Sequence, residues 1–346
     1  MAKKQLLHTG AQLDAAIRKV TNNYADVSPT TATPSDVLEG KIFIGANKQQ
    51  KTGTRKETFL GADVFFKVNS SNYEFISVPI GKYISAPVDP DVAGYYFQGW
   101  FTEPTGGSKV TFPVQPQAGT TLYAHLIAYS SGLSYSSVTG GYAVVGIGNC
   151  PDNTIVVPKL YNNSPVVKIG NGAFSSQPSV FGVILSENIT EIGQTAFIYC
   201  SNLTSVTIPD SVTQIGTMAF DGCTALTDFV VPKGVTALSD SILQGCSALR
   251  SVTLHDGITS IGDNAFLNDT ALVTVTIPAN VSNIGVSAFY GCSAMTSIII
   301  HSINPPTLGQ FAFDDTNNCP IYVPNGYANA YRSAWPSYAS RIYSLS

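Results

Sequence analysis

Apolar residues in the second half of the chain recur in blocks, and the blocks repeat every 23 positions. Segments starting at Ile169, Ile192, Ile215, Leu238, Ile261 and Ile284 align without gaps on the pattern I-G-x-x-A-F-x-x-C-x-x-L-T-x-V-T-I-P-x-x-V-T-x. A phenylalanine recurs as Phe174, Phe197, Phe220, Phe266 and Phe289, with Ile242-Leu243 in its place in the fourth block. A seventh, degenerate copy begins at Leu308 and keeps Ala312 and Phe313. A period of this length marks a stacked array, because so short a unit cannot hide its apolar side chains alone and must lay them against the next copy. The front of the chain reads differently. Leu13, Ile17, Val20 and Tyr24 fall at helical spacing, one stripe of a short amphipathic helix.

Within each block the segment before the proline (Pro209, Pro232, Pro278) alternates in the manner of a strand. Leu203, Val206 and Ile208 are expected to point inward, which sends Ser205 and Thr207 to solvent. Their equivalents are Asp228 and Val230, Ser251 and Thr253, Thr274 and Thr276, and Ser297 and Ile299. These ten residues form the candidate binding face, a flat ladder of hydroxyls with an apolar edge. Strand propensity alone would also place Ser, Thr and Val there.

The repeat resembles the BspA-like leucine-rich repeat family, in which I-G-x-x-A-F alternates with C-x-x-L-T-x-V-x-I-P. The entry segments Tyr142 to Cys150, Thr154 to Pro158 and Pro165 to Gly170 look like that family's first turns. Asn304-Pro-Pro-Thr307, Ile321 to Pro324 and Tyr327 to Ile342 look like its closing segment. The resemblance covers about residues 131–346. It implies a mainly β fold, a leucine-rich-repeat solenoid, and carries fold better than function.

The six cysteines change little. Cys200, Cys223, Cys246 and Cys292 share one position of the repeat, and Asp269 stands in the missing one. Thiols stacked on successive turns are parallel and too far apart for disulfides, and the C-x₂-C spacing of zinc sites is absent. A ladder of small buried thiols is expected, with Cys150 and Cys319 unpaired in the caps. His8, His125, His255 and His301 are scattered. No phosphate loop, dinucleotide fingerprint or paired-carboxylate constellation appears. The expectation is a non-enzymatic protein with no metal and no cofactor.

Charged residues are 12% of the chain, about half the usual share of ~25%, and the net charge is −4. That balance predicts no nucleic-acid partner. No apolar run of eighteen residues predicts a membrane insertion. Before His8 the only apolar pair is Leu6-Leu7, short of the apolar core of a secretory leader, so export by that route is not expected.

Three domains are expected. Residues 1–55 are a short helical anchor followed by Ser35-Asp-Val-Leu-Glu-Gly-Lys41 and Thr52-Gly-Thr54, which resembles a motif of phage tail and minor structural proteins. Residues 56–128 hold Gly94-Tyr-Tyr-Phe-Gln-Gly-Trp-Phe101 and Thr121-Leu-Tyr-Ala124, which resemble the Listeria–Bacteroides repeat, a small β-grasp-like spacer; Phe101 replaces the second tyrosine of its motif. Residues 129–346 are the solenoid with its caps. The resemblances imply a binding or adhesion protein. The first expectation is a tail-associated virion component that docks to other virion proteins through residues 1–55, as a possible homo-oligomer, and binds a host-surface protein or glycan through the solenoid. The alternative is a bacterial cell-surface or secreted adhesin.

Overall fold

The computed structural model describes residues 42–44, 50–52, 61–79, 81–117 and 119–345. The amphipathic helix expected over 11–24 and most of the 1–55 anchor lie outside the described residues. The chain divides into two compact units, one from residues 1–67, 72–86 and 111–122, the other from 68–71, 87–110 and 123–346.

In the first unit, Ile42–Ile44 pairs antiparallel with Gln50–Thr52, with Ile42 opposite Thr52. Its core gathers Val64, Phe66, Ile84 and Leu122, all buried. Ile84 and Val114 exchange backbone hydrogen bonds of 2.9 and 3.1 Å. In the second unit, strand Tyr95–Phe101 runs antiparallel to residues 123–128 with an irregularity between Phe97 and Gly99. The Phe101 ring lies flat on His125 at 3.8 Å, and His125 Nε2 is 2.9 Å from the Glu103 carbonyl. From 61 to 128 the described residues are strands, turns and irregular segments throughout. They offer no helix of the kind that a β-grasp packs on its sheet, so that part of the expected likeness is not seen among them.

The solenoid begins with the hairpin of Ser134–Val138 and Gly141–Gly146. Two ladders of short parallel strands then run along it. One holds the I-G segments, with Ile169, Ile192 and Ile215 in register, and later Leu238, Ile261, Ile284 and Leu308. The other holds the segments before the proline: Thr154–Val156, Gly182–Ile184 and Ser205–Thr207; then Asp228–Val230 and Ser251–Thr253; then Thr274–Ile277, Ser297–Ile300, Ile321–Val323 and Ile342–Ser344. The mainly β, leucine-rich-repeat solenoid is therefore the observed fold.

The third corner of each turn has no strand, yet it is also bonded to its neighbour. The N–H groups of Thr195, Phe197 and Tyr199 donate to the carbonyls of Thr217, Ala219 and Asp221, at 3.0, 2.8 and 2.7 Å. Every turn thus satisfies its backbone through the next, which is why one copy cannot stand alone. The corner bends through left-handed residues: Thr195, Met218, Ser241, Asn264 and Ser287 all have φ between 51° and 56°.

The glycine after the isoleucine has a steric cause. A Cβ on Gly216 would sit 2.4 Å from the backbone nitrogen of Gln194 in the preceding turn. The fourth block replaces this glycine by Ser239, whose hydroxyl donates to the Ile215 carbonyl.

Inside, Phe174, Phe197 and Phe220 stack face to face at 5.2 and 5.1 Å, and Phe266 and Phe289 at 4.9 Å. Each ring is fully buried, contributing about 1.5–3 kcal/mol of apolar transfer. The cysteines form the expected ladder. All six are free, and Cys200, Cys223, Cys246 and Cys292 are buried. Each thiol of that ladder donates to the carbonyl 26 residues earlier, Cys223 to Phe197 at 3.2 Å for example.

At the far end, helix Ala328–Ala334 and the 3₁₀ turn Pro336–Arg341 close the core. Trp335 and Tyr338 cover the last ring, Phe313, at 5.9 and 5.7 Å. The polar ends of this cap are all satisfied: Tyr331 Oη donates to the Ser302 carbonyl at 2.7 Å, and Arg341 donates to the carbonyls of Cys319 and Phe313.

Candidate binding face

The strand ladder before the proline carries the ten candidate residues, and its inward column explains their direction. Leu203, Leu226, Leu249, Leu272 and Met295 are all fully buried where each segment enters the core. Alternation along three or four extended residues then turns the next side chains outward. Ser205, Thr207, Asp228, Val230, Ser251, Thr253, Thr274 and Thr276 are exposed, Val230 by 62%. Ser297 and Ile299 depart from the expectation and are half-buried. The physical reason lies in the next turn, where Tyr322 stands in register with Ile299, and in the previous one, where Thr274 Oγ1 meets Ser297 Oγ at 3.0 Å.

Hydroxyls in some columns of the repeat bond from turn to turn. Beside the I-G ladder, Thr190, Thr213, Thr259 and Ser282 each donate to a carbonyl one turn back, at 3.0–3.3 Å. Just before the outer strands, Thr204 and Thr296 do the same, at 2.8 and 3.1 Å. Those hydroxyls serve the stack. On the candidate face, Ser205, Thr207, Ser251, Thr253 and Thr276 form no side-chain hydrogen bond among the described residues, while Thr274 pairs with Ser297 and Asp228 accepts from Thr227 Oγ1 at 2.7 Å. A surface of uncommitted hydroxyls at turn-to-turn spacing, with the Val230 methyls among them, suits hydrogen bonding to a flat polar partner. It carries no nucleophile paired to a base.

Two residues belong to this face that the alternation argument passed over. Phe181 and Val273 stand immediately before their strands, in the column of Thr204, and are 44% and 41% exposed. The signal was present in the sequence as apolar residues in a column otherwise filled by Thr204, Thr227, Arg250 and Thr296.

His255 Nε2 lies 3.1 and 3.0 Å from the carbonyls of Pro232 and Val235, filling the turn where other blocks have proline. Burial pushes the Cys200 thiol up to about 11 and raises the Cys223 and Cys246 thiols well above their ordinary value. Among the described residues no group of three or more His, Cys, Asp or Glu is placed to hold a metal ion, and no helix is long and apolar enough to cross a membrane.

Comparison with known proteins places this geometry. Residues 63–125 match the Listeria-Bacteroides repeat domain. No curated protein matches the chain. Among solved structures, the T. pallidum leucine rich repeat protein TpLRR is 23% identical with a TM-score of 0.51, over 59% of this chain and 93% of that one. A leucine rich cell surface protein from Faecalibacterium prausnitzii is 24% identical with a TM-score of 0.42, over 56% and 69% of the two chains. The pneumococcal vaccine antigen PcpA is 13% identical with a TM-score of 0.31, over 90% and 100%. The likeness to TpLRR is one of fold. Matches to the BspA type leucine rich repeat region, six copies, cover residues 150–272 and 259–340, more than half of the 346-residue sequence, and the chain belongs to that family.

Proposed function

We propose that this chain is a non-enzymatic adhesion protein of a bacterial surface, either displayed or secreted, whose strand face docks a protein or glycan. The observation that carries the reading is the exposed row of hydroxyls on the strand face: Thr204, Thr213 and Thr259 in other columns donate to a carbonyl one turn back, whereas Ser205, Thr207, Ser251, Thr253 and Thr276 are left uncommitted. Membership of the BspA-type family supports the same assignment. The low charge of the face suits a neutral partner better than nucleic acid. The test is binding of the full chain to a panel of immobilised surface glycans and glycoproteins, with Thr253, Thr274 and Thr276 changed together to alanine. The variant is expected to lose its strongest signal at least tenfold with an unchanged circular dichroism spectrum. Equal binding by the variant would remove the strand face from the mechanism.

A second reading keeps the chain in a phage particle, with residues 1–55 docking to other virion proteins. It rests on Ser35-Asp-Val-Leu-Glu-Gly-Lys41 and Thr52-Gly-Thr54. The match to surface-type repeats favours the adhesin over it. Mass spectrometry separates the two: the chain is found in purified particles in one case, and in the cell-envelope or culture fraction in the other.

A further inference from the structure

The strand face ends in an aromatic cleft. Thr274–Ile277, Ser297–Ile300, Ile321–Val323 and Ile342–Ser344 form one parallel sheet. Along it Thr276, Ile299, Tyr322 and Tyr343 stand in register, one on each strand. Partners in register send their side chains to the same side of a sheet, so both tyrosines share the face that carries Thr276. Their ring centroids are 6.2 Å apart, and Tyr343 is 50% exposed. The two residues line a cleft of about 330 Å³ together with Asn318, Pro320, Ser340 and Arg341. That volume lies at the lower end of the range of small-molecule sites, about 300–1,000 Å³.

The cleft offers ring faces and neutral hydrogen-bonding groups. The two phenol hydroxyls, the Asn318 amide and the Ser340 hydroxyl form no side-chain hydrogen bond among the described residues. Arg341 is the one charged residue of the lining, and all three of its guanidinium nitrogens donate inward, to the Cys319 carbonyl at 2.8 Å, the Phe313 carbonyl at 3.0 Å and Thr316 Oγ1 at 2.7 Å. A carboxylate or phosphate therefore finds no free fork of donors there. A pyranose fits instead: its axial C–H bonds meet the negative face of an aromatic ring while its hydroxyls reach the neutral groups around it. The row of four side chains extends the fit beyond one ring. Neighbouring strands are about 4.8 Å apart, close to the step between rings of an extended β-1,4-linked glycan. An α-1,4-linked chain coils and would leave the row. The strip is also narrow. Strands of three or four residues make it about 10–13 Å wide, which suits one linear chain better than the ~800 Å² that a stable protein partner covers.

We infer that Tyr322 and Tyr343 form the anchoring end of a site for a neutral β-1,4-linked glycan, which lies across the strands over Ile299 towards Thr276. The inference rests on the strand face being a docking surface and names the class of ligand that it takes.

The experiment is calorimetric titration of the full chain with cellotetraose, tetra-N-acetylchitotetraose and maltotetraose. At least one of the two β-1,4-linked tetramers is expected to bind, and maltotetraose at least tenfold more weakly. Tyr343→Ala and Tyr322→Ala are each expected to weaken the bound tetramer at least tenfold with an unchanged circular dichroism spectrum, whereas Tyr343→Phe, which keeps the ring, retains it. The inference is overturned if neither β-linked tetramer binds at millimolar concentration, if maltotetraose binds as tightly, or if Tyr343→Ala binds like the parent. The wider reading of the face is judged separately, by the glycan and glycoprotein panel and the triple variant at Thr253, Thr274 and Thr276. Loss of panel binding in that variant with none in Tyr343→Ala would leave the face standing and remove the aromatic anchor. Should Tyr322→Ala fail to fold, Tyr343→Ala, Tyr343→Phe and the ligand series decide the matter.

Discussion

Asp269 accepts a hydrogen bond from the backbone N–H of Cys246, one turn earlier, at 2.8 Å, and its second oxygen, Oδ2, has no partner. It occupies the place where other turns put a thiol that donates to a carbonyl. The carboxyl is fully buried, and burial, opposed by the Cys246 hydrogen bond and reinforced by Asp221, holds it protonated well above the usual carboxylate range. An ionised carboxylate there would have one buried oxygen without a donor among the described residues, which is costly.

Asp269→Cys is therefore expected to stabilise the protein, with a pH signature. The folded-state value of Asp269 lies above its unfolded value of about 3.9, so its favourable contribution is full below about pH 4 and is lost as pH rises through the folded value. The stability gap between variant and parent should widen above pH 4 by up to about 1.4 kcal/mol per pH unit. Urea unfolding of both proteins between pH 4 and pH 8 measures it, and a gap independent of pH would contradict the account.

Thiol reactivity follows from the same ladder. Cys150 is the one half-exposed cysteine, and the other five are buried. In the native state Ellman's reagent should modify one thiol per chain, and in denaturant all six. Fast reaction of a second thiol without unfolding would mean that the stack opens locally.

Gly216→Ala is expected to cost about 1–3 kcal/mol through overpacking against the Gln194 backbone, although its backbone conformation is open to alanine. A urea midpoint unchanged from the parent would show that the turns can separate freely.

The fourth block breaks the ring ladder with Leu243, and the block before it places Phe229 where neighbouring strands have Val206 and Val252. Phe229 is buried and meets the Phe220 ring edge-on at 5.2 Å. Its ring is expected to fill the volume that Leu243 leaves. Leu243→Phe alone should then destabilise by about 1–3 kcal/mol, and Phe229→Val added to it should recover part of that loss. A double-mutant cycle with zero coupling would reject the compensation.

Much of this was legible in the chain because the apolar period imposes it. The inward column of Leu203, Leu226, Leu249 and Leu272, the stacked phenylalanines and the unpaired cysteines all follow once identical blocks are required to bury one another. The left-handed corner was not legible: Thr195, Met218, Ser241, Asn264 and Ser287 share a backbone conformation but no residue type, so the pattern read them as variable. The glycines at 222, 245 and 291, whose φ values lie between 70° and 75°, were the available hint for the second such position, where Tyr199 and Asn268 also adopt it.

By itself the sequence determined the repeat length, the choice of buried side chains and the family, because those depend on spacing along one chain. Only the tertiary structure decided which hydroxyls are free. That depends on whether a carbonyl of the adjacent turn comes within about 3 Å, a distance between strands rather than a property of the residue. It likewise brought Lys159 within ion-pair distance of Asp91 and Glu187, at 3.7 and 3.6 Å. Residues so far apart in the chain meet only after folding, and no local pattern announces their meeting.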